Sequence, residues 1–140
     1  MRTFNKRLLV IVVIFSILAG ITAGTVQTYA KSSYWIYGIS VKAGGSMDMY
    51  YNENKIVLKG KARKALSEKD VYYAEEKKGK YTLKAASNCK VVMEEAGNTQ
   101  TVKFKKWAGD AGYKKGDKVT FISALLKVEG KKVTKIIFSA

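Results

Sequence analysis

Ser87-Asn88-Cys89-Lys90 sets a serine three residues before a lysine, the spacing at which a lysine amine can activate a serine hydroxyl. The chain holds 26 Lys and Arg among 140 residues, so a match of this kind is expected by chance. Other catalytic chemistry is scarce. There is no histidine, which removes Ser–His and Cys–His nucleophiles, the commonest general base near neutral pH, and histidine ligation of zinc. Cys89 is the only cysteine, so neither a cysteine-rich zinc site nor an intramolecular disulfide can form. Glu75-Glu76 and Glu94-Glu95 are adjacent pairs, and neighbours on a strand point to opposite faces, so neither makes a carboxylate dyad by itself. Asp110 and Asp117 flank a glycine- and lysine-rich loop that would cage Ca²⁺ poorly. No phosphate-cradling G-x-x-x-x-G-K-[ST] occurs. The expectation is no catalytic residue, no metal and no cofactor.

Positive charge is the chemistry that remains. The formal net charge is +15, with 26 bases against 11 acids. Three bases lie in the first thirty residues, so the remainder carries 23 against 11, or +12, and Arg63 is its only arginine. Such a surface attracts anionic polymers at long range, and the shortage of guanidinium forks argues against base-specific reading. Lys59, Lys61 and Arg63, then Lys80 and Lys84, then Lys103 and Lys105, alternate with apolar residues on three candidate strands. If those strands are neighbours, the lysines share a basic sheet face. Trp107 and Tyr113 beside them would offer flat surfaces for stacking bases or sugars. The opposing reading is that strands need polar outer faces and that these aromatics cover the end of a core.

The elements that would position these residues read as strands. "YWIYGISV" (34–41) is aromatic and β-branched, and "GSMDMYYNENKIVLKGKARKA" holds two extended stretches around Asn52-Glu53-Asn54. In the second stretch Leu58, Gly60 and Ala62 face one side while Lys59, Lys61 and Arg63 face the other. "SEKDVYYAEEKKGKYTLKAA" admits two readings. Ser67 and Asp70 could cap a helix ending at Gly79, or "DVYYAEE" and "KYTLKA" could pair across Lys77-Lys78-Gly79; the tyrosines and the alternation favour the hairpin. "CKVVMEE" and "TQTVKFKKW" flank a turn at "AGN". After "WAGDAGYKKGD", the segment "KVTFISALLKVEGKKVTKIIFSA" reads as a partly central strand, a turn at Glu129-Gly130 and its partner. The expected fold is all-β: a small antiparallel barrel or sandwich of roughly six to eight strands. In such a domain a lone thiol is either buried or pairs between chains, and Cys89, beside a strand, is expected to be buried.

"YKKGDKVTFISALLKVEGKKVTKI" resembles the closing hairpin of small exported bacterial domains with an OB-like fold, in which G-D-x-V leads into a bent strand. "KIVLKGKARKAL" is similar to their opening strand. The resemblance implies an OB-like barrel and carries no function with it. The connection "AGDAGYKKG" departs from the pattern, being too short and glycine-rich for the helix that OB-like domains usually place there.

The N-terminus sets the expected compartment. Arg2, Lys6 and Arg7 precede an apolar core at Leu8–Ala19, small and polar residues follow, and Thr28-Tyr29-Ala30 suits cleavage after Ala30. Residues 1–30 are therefore read as a signal peptide and 31–140 as one domain. The alternative is an uncleaved anchor over residues 8–30, which are uncharged throughout, with the domain outside the membrane. Either way the domain is extracellular or in the cell envelope. The expected function is noncatalytic association with an anionic envelope polymer or nucleic acid, with membrane contact only if residues 8–30 are retained. The alternative is a structural or protein-interaction domain of the envelope whose lysines serve solubility.

Overall fold

A computed structural model of the protein describes residues 33–139. The signal-peptide and anchor expectations for residues 1–30 lie outside the described residues. Among the described residues no helix is long and apolar enough to cross a membrane.

Seven strands form in chain order: β1 (Ser33–Ile39), β2 (Met47–Asn52), β3 (Lys55–Ala65), β4 (Lys77–Glu95), β5 (Asn98–Lys103), β6 (Ser123–Glu129) and β7 (Lys132–Ser139). The turns that join them follow from local chemistry. Ala96 and Gly97 between β4 and β5, and Gly130 and Lys131 between β6 and β7, all have positive φ. Two consecutive residues of that kind give the mirror-image turns whose twist matches a hairpin. Glu53, also at positive φ, turns β2 into β3.

All seven strands belong to one sheet of order β2-β3-β1-β6-β7-β4-β5, and an additional β3–β4 pairing bends it into a ring. The ring runs β1–β3–β4–β7–β6 and back to β1. One edge of β3 serves two partners in turn: β2 as far as Gly60, then β1 at Arg63–Ala65. Gly60 makes that exchange possible. Its φ is +107°, Lys61 N–H donates to the Ser46 carbonyl, and a side chain at Gly60 would collide with that carbonyl oxygen. The free edge of β2 is closed by residues 116–119, with Tyr51 N–H donating to Asp117 O and Val119 N–H to Met49 O, each at 2.8 Å. β5 is bonded along one side only.

Residues at alternate positions fill the interior. Ile36, Met49, Ile56, Leu58, Val91, Leu126 and Ile136 are fully buried. Each such side chain contributes about 1.5–3 kcal/mol relative to exposure, which is how a chain without disulfides holds a fold of this size. Cys89 lies in this interior as a free thiol.

Three expectations need correction. The sheet is mixed rather than purely antiparallel, because β4 and β7 run parallel. The stretch after Ser67 is not a hairpin arm: it is a single helical turn, α1 (Glu68–Val71), and β4 begins only at Lys77. Ser67 Oγ accepts from Asp70 N–H at 3.2 Å, Val71 is buried, and the Tyr72 ring packs edge-on against Tyr37 at 4.8 Å. These local bonds and contacts outweigh the strand preference of the two tyrosines. Finally, β5 stops at Lys103, and a helix, α2 (Phe104–Ala111), occupies the connection expected to be too short for one. Phe104, Trp107 and Ala108, spaced three and four apart, are its buried face, and Gly112 closes it in the left-handed conformation.

Candidate anion-binding face

The register of β3 against β4 decides which lysines meet. Inward Ile56, Leu58 and Ala62 alternate with outward Lys55, Val57, Lys59 and Lys61. On β4, outward Lys78, Lys80, Thr82 and Lys84 stand opposite them. The pairs are Lys55–Lys84, Lys59–Lys80 and Lys61–Lys78. No carboxylate occurs on β3 or on residues 77–84 of β4. Among the described residues none of these six lysines is in an ion pair. Like charges directly opposite each other destabilise a sheet, so this face carries an electrostatic cost that surface polarity alone does not require.

β2 extends the face. Tyr50 stands opposite Val57, and Asp48 stands opposite Lys59. The Lys59 ammonium lies over the Tyr50 ring, 5.0 Å from its centre. Asp48 is engaged by Lys118 at 3.4 Å, so the face's one carboxylate is already compensated. A groove of about 670 Å³ runs between these strands and the loop after α2, lined by Tyr50, Val57, Lys59, Lys80, Thr82 and Lys115 among others. An ammonium row, a half-exposed phenol ring and a threonine hydroxyl suit a chain of phosphates or carboxylates passing over flat groups.

Of the residues expected to share this face, Lys59, Lys61, Lys80 and Lys84 come together on β3 and β4. Arg63 does not. It is half-buried, and its Nη1 donates to the carbonyl of Ala74, pinning the loop after α1. Lys103 sits on β5 opposite Lys90, which stands opposite Lys135 of β7, a second lysine row farther along β4. Lys105 is exposed on α2 rather than on a strand.

The stacking candidates are interior groups. Trp107 is only 7% exposed, 5.5 Å from Phe138, 5.7 Å from Phe104 and 5.2 Å from Tyr113. Tyr113 is half-buried against Tyr51 at 6.1 Å, and its hydroxyl accepts from Thr120 N–H at 3.3 Å. Tyr50 is the aromatic ring on the lysine face, and sequence reasoning misses it along with Lys55, Lys78 and Thr82. Lys55 has the same parity as Lys59, so strand alternation is enough to find it. Lys78 is masked because Lys77-Lys78-Gly79 has the composition of a turn.

Among the described residues no three Cys, Asp or Glu cluster. Ser87 and Lys90 are both exposed on β4, in the stretch where its register with β7 shifts, and among the described residues no hydrogen bond joins them. Asp110 binds Lys106 at 3.0 Å, and Asp117 accepts from Lys114 N–H at 2.7 Å. No family model, curated protein or solved structure matches this chain.

Proposed function

We propose that this is a noncatalytic, exported, OB-like domain that holds an anionic polymer by charge on the outer face of β3 and β4. Three features support the OB-like reading: the five-strand ring, the parallel β4–β7 pair, and a helix between the β4–β5 hairpin and β6. Faces and loops equivalent to these serve oligonucleotide and oligosaccharide binding in that fold, which lends support by analogy alone. The observation that carries the function is the set of three opposed lysine pairs with no carboxylate on either strand segment. A phosphodiester-linked polymer, whether an envelope polymer or nucleic acid, would remove the repulsion within each pair and release counterions as it bound.

The test is a salt titration of binding to a glycerol-phosphate polymer and to an oligothymidylate, comparing the protein with a K59Q/K61Q/K78Q/K80Q variant. For the single strand, affinity should fall with salt, and the slope should shrink by about 0.7 for each lysine that no longer meets a phosphate. A K105Q/K106Q variant on α2 should bind like the parent. Binding that is indifferent to salt, or equally strong in the four-lysine variant, rejects the proposal. The two arms distinguish an envelope polymer from nucleic acid.

The reading in which the lysines only keep a protein-interaction domain soluble draws support from Leu66 and Tyr73, 84% and 88% exposed. It requires that the four-lysine variant still capture its partner.

A further inference from the structure

Leu66 and Tyr73 are the most exposed large apolar side chains among the described residues, at 84% and 88%. Both lie on the connection between β3 and β4, and that connection is held in shape. Ser67 caps α1, Val71 is buried, Tyr72 packs on Tyr37, and Arg63 binds the Ala74 carbonyl. The two apolar groups are therefore presented by a fixed loop. The loop carries Glu68, Asp70, Glu75 and Glu76 against the single base Lys69, all exposed, with Lys64 and Lys77 at its two ends, and among the described residues none of the four acids is in an ion pair.

The complement of this loop is the groove of about 670 Å³ over the middle of the same strand pair, with Lys59, Lys80 and Lys115 around Tyr50, Val57 and Thr82. Lys80 lies four residues along β4 from Glu76, roughly 13 Å of extended chain, and Lys59 lies seven residues along β3 from Leu66, roughly 23 Å. A rigid strand cannot fold its own loop back over that distance. A second copy can deliver it.

We infer that the acidic β3–β4 loop of one molecule docks on the lysine face of another, with Tyr73 entering the groove and Glu75 and Glu76 meeting Lys59 and Lys80. The two surfaces differ, so the contact is head-to-tail and leaves a free loop and a free face at either end, the arrangement that propagates into open chains. The inference shares its lysine face with the proposed polymer site but does not require that a polymer bind there. Where one does, it competes with the loop and disassembles the chains.

Sedimentation of the full chain in a mild nonionic detergent tests this. At low salt the mass should grow with protein concentration, and at roughly 0.5 M salt, where charges more than a few ångströms apart are screened, it should fall to one chain. E75K/E76K and K59E/K80E should each remain single chains alone, and an equimolar mixture of the two, in which every loop again meets a face of opposite charge, should assemble at low salt. Y73S should lower the association constant at least tenfold. Circular dichroism reports whether each variant is folded, which these exposed substitutions should leave intact. If the mixture stays as single chains, or E75K/E76K assembles like the parent, the inference is overturned. E75K/E76K should also keep or strengthen its hold on the phosphate polymer, so loss of assembly with retained polymer binding separates this contact from the proposed function. Lost polymer binding with persistent assembly would overturn the proposed function alone.

Discussion

Cys89 shows how far burial alone sets the behaviour of a side chain in this molecule. It is 1% exposed, and burial pushes its thiol up to about 12 from an ordinary 9.0. The folded thiol is thus both shielded and protonated. Reaction with an aromatic disulfide reagent at pH 8 should run about a thousandfold slower than for a free thiol, or slower still, because the sheet must open first. Denaturant should abolish the difference, and fast labelling of the folded protein would contradict it. The pH dependence has a defined sign. Between 9 and 12 the unfolded chain loses this proton and the folded one keeps it. The contribution is therefore intact below pH 9 and declines above it. A C89A variant, compared by denaturant melts across that range, should lack that component of the alkaline loss. The burial of Cys89 was legible from its place beside a strand. The role of Arg63 was not, because alternation tells which face a side chain leaves from, not that a guanidinium will turn to a carbonyl eleven residues on.

Among the elements, the hairpins were legible because their turns are local: Asn52–Asn54, Ala96–Asn98 and Glu129–Lys131 each reverse the chain within the residues that signal it. Helix α2 was not, for a physical reason. "TVKFKK" alternates like a strand up to Phe104, and Lys103, at the helix start, supplies no side-chain cap to mark the change. The spacing of Phe104, Trp107 and Ala108 was visible, but only their packing chooses between the two periods. Trp107 should consequently behave as a structural residue. Trp107→Ala leaves a void among Phe104, Tyr113 and Phe138, and should cost about 3–5 kcal/mol in a denaturant melt. A loss below about 1 kcal/mol would mean that the indole does not belong to the core.

Across the whole molecule, charge works against the fold and burial for it. The chain carries +15, and three lysine pairs oppose one another across a single ladder. Screening should therefore stabilise it. Each like-charge pair costs roughly 0.2–1 kcal/mol, and about 1 kcal/mol moves the midpoint of a domain this size by roughly 4–8 °C. Raising salt from about 20 to 500 mM should lift the melting temperature by several degrees, and K59Q/K80Q should gain some of that rise at low salt. A midpoint that falls with salt would contradict the charge assignment. Which strands are neighbours, and so which lysines meet, is a long-range property. The all-β class was readable from alternation alone, but the parallel return of β7 beside β4 was not, since no local signal announces a neighbour so distant along the chain.

Strand β4 spans nineteen residues and is shared in sequence by β3, β7 and β5. Its first half pairs with the strand just before it, whereas its second half pairs with β5, which follows directly, and on its other edge with β7, which comes much later along the chain. Removing β7 by truncation would therefore leave one edge of that second half unpaired, break the ring and open the interior to water. No fragment is a smaller version of the whole. Because β7 joins β4 to β6, a fold that is cooperative as a whole needs the chain as far as Ser139.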